Sequence, residues 1–331
     1  MGLYLMQYSL IVPHHNDSER LVRLLRTIPL DRRQDIEVIV VDDCSPDQNA
    51  LEAVRAAWPQ VRWLSTPENA GAGVARNVGL DAAQGHWLVF ADSDDEFLPG
   101  AFDTFDFVLR AGDDLVYFLA EAVREQGGGH SVRSERMNKL VSAYNSAPSE
   151  QSLQQLQLQH VVPWAKAYSR SFVEECQLRF DPVRLSNDTA FNVLAAVQAR
   201  EVRAEAVQVY RVYDRAGSLT KDVSAKGLLA RLEVLCKLND RLRALGLRQR
   251  MHAASYIARA VQFGPGVMGK VLWLMLRHEM LGVTLKQLSP GRVWQFILWL
   301  RQARRELEPQ DLPRDARVKP TEGSSSGRKG Y

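Results

Sequence analysis

Cysteine is scarce: Cys44, Cys176 and Cys236 are the only three in 331 residues, far apart and with no Cys-x-x-Cys pair. Neither a disulfide framework nor a zinc knuckle is indicated, and a reducing, cytoplasmic setting is expected. Long apolar runs are missing too. Val271 to Leu276 and Phe296 to Leu300 fall far short of the roughly 20 residues that a spanning helix needs. Met1 to Val12 carries no basic stretch ahead of its apolar residues and runs straight into a strand pattern, which argues against a signal peptide. A strong charge of one sign is also lacking. The formal charge of +3 is small for this length, and the aromatics, 8% of the chain, are not interleaved with Lys/Arg clusters. No nucleic-acid partner is expected.

What remains is a globular composition, 46% apolar and 24% charged, with length for one α/β domain and a helical extension. Tyr8 to Val12, Ile36 to Val41, Val61 to Leu64 and Trp87 to Ala91 are short, mostly apolar runs, as expected of strands covered on both faces. Between them, Ser18 to Thr27, Asp47 to Ala57 and Val74 to Ala83 have helical period, and Gln84-Gly85 stops the last. This alternation predicts a doubly wound, mostly parallel sheet. Leu115 to Ala120 reads as a further strand. Gly127-Gly128-Gly129 reads as a turn, and Ser142 to Gln159 as a loop or surface helix. Helices are expected near Ala225 to Leu245, Arg248 to Gln262, Val267 to Leu281 and Gly291 to Leu307. The predicted organisation is a sheet domain over 1–223, a helical extension over 224–308 and a disordered tail over 309–331.

Ligands of such sheets bind beyond the carboxyl ends of the strands, so those ends carry the functional signal. Three of them are polar: Pro13-His14-His15-Asn16, Asp42-Asp43, and Asp92-Ser93-Asp94-Asp95. Carboxylates from two strands at one sheet edge repel one another unless a cation or hydrogen-bond donors lie between them. Asp-x-Asp suits Mg²⁺ or Mn²⁺, hard ions that take oxygen ligands and keep positions open for water and phosphate. A calcium loop of EF-hand type fails, because its sixth and twelfth positions would be Phe97 and Asp103 instead of Gly and Glu. Gly71-Ala72-Gly73-Val74-Ala75-Arg76 does not follow the first strand and has Arg76 where a dinucleotide fingerprint has its third glycine. His278-Glu279 lacks the second histidine of a zinc-protease helix.

SLIVPHHND, IEVIVVDDCSPD, ENAGAGVARNVGLDAAQGHWLVFADSDDEF, VPWAKAYSR, LSNDTAFN and YRVYDRAGSLT occur in the order found in family-2-type inverting glycosyltransferases. The resemblance covers about Tyr8 to Lys221. It implies a GT-A fold, a nucleotide-diphosphate-sugar donor (UDP favoured), Mn²⁺ or Mg²⁺, and a saccharide or lipid-linked acceptor in cell-surface polysaccharide synthesis. Position by position, Asp43, with Asp42 beside it, resembles the carboxylate that holds the base, and Pro13 and His15 line the same pocket. Arg76 resembles the donor-contacting arginine. Asp92 and Asp94 resemble the Asp-x-Asp pair, Asp94 as metal ligand and Asp92, followed by Ser93, at the ribose or through water; Asp188 stands where the family places its base. The chain departs from the family in having Asn187 where Glu is common and His15 where an aromatic is common. A helix N-cap is the structural alternative for Asp188.

Two rivals belong to other classes: a sugar nucleotidyltransferase, whose glycine-rich loop would follow the first strand, and a catalytically silent scaffold of a polysaccharide-assembly complex. Finally, Trp273, Trp294 and Trp299 lie among Lys270, Arg277, Arg292, Arg301, Arg304 and Arg305. That composition suits either helix packing or peripheral contact with an anionic membrane.

Overall fold

A computed structural model describes residues 6–215 and 223–282. The anticipated helix from Gly291 and the tail lie outside them, as do Gly217 to Thr220. Among the described residues eight strands form one sheet in the order β3-β2-β1-β4-β7-β6-β8-β5. The first four are β1 (Tyr8–His14), β2 (Ile36–Asp42), β3 (Arg62–Ser65) and β4 (Trp87–Phe90). All are parallel, with Tyr8 opposite both Ile36 and Trp87, and His14 opposite Asp42. Each is linked to the next by a helix: α1 (Ser18–Leu25), α2 (Gln48–Ala57) and α3 (Ala72–Ala82). This half is the doubly wound unit that the alternation predicts.

The other half is mixed. β5 (Glu96–Phe97) and α4 (Ala101–Val108) lead to β6 (Leu115–Arg124). The polar stretch that follows is two helices, α5 (Glu135–Ser146) and α6 (Glu150–Gln159), the second opened by a capping box between Ser149 and Ser152. β7 (Lys166–Ser169) then enters the middle of the sheet antiparallel to both β4 and β6. After α7 (Arg170–Glu175) and α8 (Thr189–Gln198), β8 (Val202–Asp214) runs parallel to β6 and antiparallel to β5.

Strand alternation divides the core between the two faces. Leu10, Val12, Val38, Val40 and Val89 pack with α1, α2 and α4 through Leu24, Leu51 and Phe105. On the other face Ile11, Leu88, Phe90, Tyr117 and Tyr168 pack with α7 and α8, where Phe180 and Phe191 stack at 4.0 Å. The last described helices are α9 (Ala225–Ala244), α10 (Ala254–Ala260) and α11 (Pro265–Arg277). α9 serves two cores: Leu238 and Leu242 join the sheet's second face, while Leu228, Leu232 and Leu235 pack with Val271 and Met275 of α11. The anticipated helix from Arg248 begins later, at Ala254.

Candidate active site

The polar strand ends meet at the carboxyl edge of β1, β2 and β4. At the end of β2 two adjacent carboxylates face different elements. Asp42 accepts hydrogen bonds from Ser45, backbone and hydroxyl, and from Gln48 Nε2 at 3.3 Å, closing the turn into α2. Asp43 turns the other way. It accepts from the Thr66 hydroxyl and Ala70 N–H, both at 2.9 Å, and from Gly71 N–H at 2.7 Å, so it pins the loop that enters α3. Both are buried. Pro13 is buried in β1, and exposed His15 lies beside the same loop. His15 Nδ1 is 2.9 Å from the Asp43 carbonyl, an acceptor only, so Nδ1 carries the ring proton. Asn69 Nδ2, 3.1 Å away, then donates to Nε2.

Close backbone approach brings α3 to the later part of the chain. A Cβ on Gly73 would lie 2.5 Å from the Asp181 carbonyl and 2.8 Å from Asn187 Cβ, so only glycine lets the first turn of α3 rest on this segment. Arg76, one turn on, thereby reaches two places. One terminal nitrogen meets the Asp92 carboxylate at 2.5 Å and the other donates to Asn187 Oδ1 at 3.0 Å. The guanidinium is 5% exposed and lies over the Phe180 ring. Ser186, at φ 58°, makes the turn that presents Asn187 and Asp188. Asp188 occupies the N-cap position of α8, yet its side chain makes no capping hydrogen bond. Its carboxyl is pushed up by burial, a shift opposed by Arg76, increased by Asp92 and opposed by Lys166.

Three carboxylates converge after β4. Oxygens of Asp92, Asp94 and Asp95 lie within 4.8 Å of one another, with Ser93 between the first two. Asp94 also meets the Arg215 guanidinium at 3.1 Å. One Asp95 oxygen accepts from Tyr213 N–H at 2.9 Å. The other is buried with no hydrogen-bond partner among the described residues. Burial first, then the neighbouring carboxylates, raise Asp94 and hold Asp95 well above the usual carboxylate range. An all-oxygen donor set with one orphaned buried oxygen fits a small hard divalent cation.

Sequence reasoning placed Asp95 at this strand end but gave it no role. Its Asp-x-Asp spacing singles out Asp92 and Asp94, whereas the turn Asp92-Ser93-Asp94-Asp95, closed by Asp95 N–H donating to the Asp92 carbonyl at 3.1 Å, folds the third carboxylate back onto them. Lys166 stands buried in the segment Trp164-Ala165-Lys166-Ala167-Tyr168, a place where charge is costly.

The parallel β3-β2-β1-β4 unit, its acidic carboxyl edge and the antiparallel β7 define an α/β domain of the GT-A type. The family model described as glycosyl transferase family 2 matches residues 9–177, more than half of the chain. The chain belongs to glycosyl transferase family 2. It is 26% identical over 216 residues to the succinoglycan biosynthesis protein ExoO of Rhizobium meliloti, covering 64% of this chain and 62% of that one. It is 26% identical over 213 residues to the poly(ribitol-phosphate) β-N-acetylglucosaminyltransferase TarS of Staphylococcus aureus, covering 62% and 35%. The chain thus spans less than two thirds of the length of these relatives. The crystal structure of S. aureus TarS 1–349 in complex with UDP-GlcNAc has the same fold, with a TM-score of 0.54 at 20% identity over 82% of this chain and 73% of that one.

Proposed function

We propose that the protein is a metal-dependent, inverting glycosyltransferase that moves a sugar from a nucleotide-diphosphate donor, UDP-linked by preference, to a saccharide or lipid-linked saccharide in cell-surface polysaccharide synthesis. The observation that carries this reading is the Arg76 bridge. It ties Asp92, at the carboxylate cluster, to Asn187, the neighbour of Asp188. A donor-side group and a candidate base on different elements are thereby held at one edge of the sheet.

In this reading Pro13, His15 and the Asp43 loop form the nucleotide pocket, with Asp42 holding the turn beside it. Arg76 acts through Asp92, whose carboxylate it orients toward the ribose side, next to Ser93. Asp94, with Asp92 and Asp95 beside it, would hold Mn²⁺ or Mg²⁺, which would supply positive charge for the leaving diphosphate. Asp188 accepts the proton of the acceptor hydroxyl on the face of the sugar opposite the leaving group. A raised carboxyl is a stronger base than an ordinary one, and half-buried Asp188 is still open to an acceptor hydroxyl. One base suffices for a single displacement, so the product's anomeric configuration is opposite to the donor's. Neither rival gives Asp188 a role: nucleotidyl transfer deprotonates no acceptor sugar, and a scaffold needs no base.

Among the described residues no helix is long and apolar enough to cross a membrane. We propose peripheral contact with an anionic bilayer through α11, where Leu272, Trp273 and Leu276 are exposed and the Arg277 guanidinium lies 5.2 Å from the centroid of the Trp273 ring. The donor assignment is tested by thermal shift with UDP, GDP, TDP and CMP, with and without Mn²⁺, followed by hydrolysis of a nucleotide-sugar panel. Stabilisation by UDP that needs Mn²⁺ is expected. Stabilisation by CMP alone, with no response to any diphosphate, overturns the donor class.

A further inference from the structure

The segment between Phe180 and α8 forms a pinched loop. Asp181 N–H donates to the Asn187 carbonyl at 3.1 Å, and Val183 N–H turns back onto the Asp181 carbonyl at 2.8 Å, so Asp181 and Asn187 make the neck. Asn187 is the acceptor for Arg76, and Asp188 follows it. The same neck seats α3, because the Asp181 carbonyl is the atom that a Cβ on Gly73 would strike. At the tip, exposed Arg184 donates to the Asn69 carbonyl and to Asn69 Oδ1, both at 3.2 Å, in the loop of the nucleotide pocket. Just before the neck, Asn77 of α3 donates to the Phe180 carbonyl at 3.0 Å and accepts from Phe180 N–H at 2.9 Å. Asp181 itself is held from a different element.

Its carboxylate is buried and meets the Arg241 guanidinium of α9 at 2.8 Å. Among the described residues Arg241 is the one cation paired with it. α9 is placed by its apolar face: Leu238 and Leu242 are buried in the same core as Phe180 and Phe191. Arg241, next to Leu242, thereby reaches the neck while its own side chain stays 45% exposed. The two ends of the pair are unequal. Loss of a half-exposed arginine costs little when its partner is also in water, but here it would leave a buried carboxylate uncompensated, and such a charge moves toward solvent. Movement of Asp181 opens the neck. Asn187 then loses the N–H that fixes its carbonyl, and the loop that presents Asp188 loses its seat on α3.

We infer that Arg241 is a positioning residue for the reaction: by holding Asp181 at the neck, it sets where Asn187 and Asp188 stand relative to Arg76. The inference rests on Asp188 being the base. It gives the helical extension a part in the chemistry that is separate from any contact with a membrane. The loop of the nucleotide pocket is pinned independently, by Asp43 at Ala70 and Gly71. Loss of Arg241 therefore falls on turnover and spares ground-state binding of the nucleotide.

Two measurements on the full chain test this. The first is amide hydrogen exchange across 181–187, read by mass spectrometry; the second is kcat for the donor identified by the nucleotide-sugar panel, with UDP affinity beside it. In Arg241→Ala the amides of this segment are expected to exchange at least about tenfold faster, and kcat to fall by about 10- to 10²-fold. UDP affinity stays within about threefold, and Arg241→Lys, which keeps the charge, recovers most of both losses. Wild-type kcat, or unmoved exchange, in folded Arg241→Ala overturns the inference. Equal losses of kcat and UDP affinity that Arg241→Lys does not recover make the arginine merely structural and overturn it too. If Arg241→Ala does not fold, Arg241→Gln keeps a donor but no charge, and wild-type exchange and kcat there overturn it equally. Faster exchange in Arg241→Ala while Asp188→Asn keeps wild-type kcat sinks the base assignment, and with it Arg241's part in the reaction.

Discussion

The Arg76 guanidinium donates to Asn187 Oδ1 at 3.0 Å across 111 positions of the chain, while its other arm holds Asp92 at 2.5 Å. A planar fork can serve two acceptors in fixed directions, which a lysine cannot. Arg76→Lys keeps the charge but leaves one half-buried partner unsatisfied. Stability is expected to fall by about 1–3 kcal/mol, measured by urea unfolding. Turnover is expected to fall about 10²-fold or more as Asp92 loses its orientation. A variant equal to wild type in both measurements removes the bridge from the account.

The carboxylate cluster makes a metal prediction that needs no turnover. A ligand that binds only the folded state raises stability by about 2.7 kcal/mol at a hundred times its Kd. Mn²⁺ is therefore expected to raise the Tm of the wild type, and Asp94→Ala and Asp95→Asn are expected to abolish that rise while keeping the fold. A full Mn²⁺ response in Asp95→Asn excludes it as a ligand, and full activity of Asp94→Ala in excess EDTA removes the metal from the mechanism.

Gly73→Ala tests the seating of α3. Its Cβ would meet a backbone carbonyl at 2.5 Å, and backbone cannot swing aside as a side chain can. Overpacking of this kind costs about 1–3 kcal/mol, and here the displaced segment carries Asn187 and Asp188. Both a lower Tm and a loss of turnover larger than any loss of UDP affinity are expected. Equal losses of affinity and turnover indicate general unfolding instead.

The α11 surface gives a binding prediction. Replacing exposed Trp273 and Leu276 by serine removes apolar area without touching the buried face at Val271 and Met275. Co-sedimentation with anionic vesicles at low salt is expected to fall several-fold while Tm stays constant. Vesicle binding equal to wild type excludes this face as the contact.

β1, β2 and β4 were legible because each is a short, mostly apolar run closed by polar residues, and α3 ends at a Gln-Gly stop; β3, by contrast, lies at the sheet edge with Arg62 and Ser65 exposed, and is not covered on both faces as its run suggested. β7 was not legible. Its four residues include Lys166 and Ser169, so no apolar run of strand length marked it, and its antiparallel pairing with β4 and β6 is set by tertiary approach. Asp42 and Asp43 look equivalent in sequence; their different duties depend on Ser45 and Gln48 on one side and the loop from Thr66 to Gly71 on the other. The Arg76–Asn187 contact depends on tertiary approach at Gly73, which residue spacing does not encode.

The central claim is that Asp188 removes the acceptor proton, and it is tested most directly by kcat of Asp188→Asn at saturating donor. Asn is isosteric and caps a helix as well as Asp does, so stability is expected to change little. Donor and Mn²⁺ affinity are expected to stay near wild type while kcat falls by roughly 10² to 10⁴, with the residual product still of inverted configuration. A variant with wild-type kcat contradicts the account.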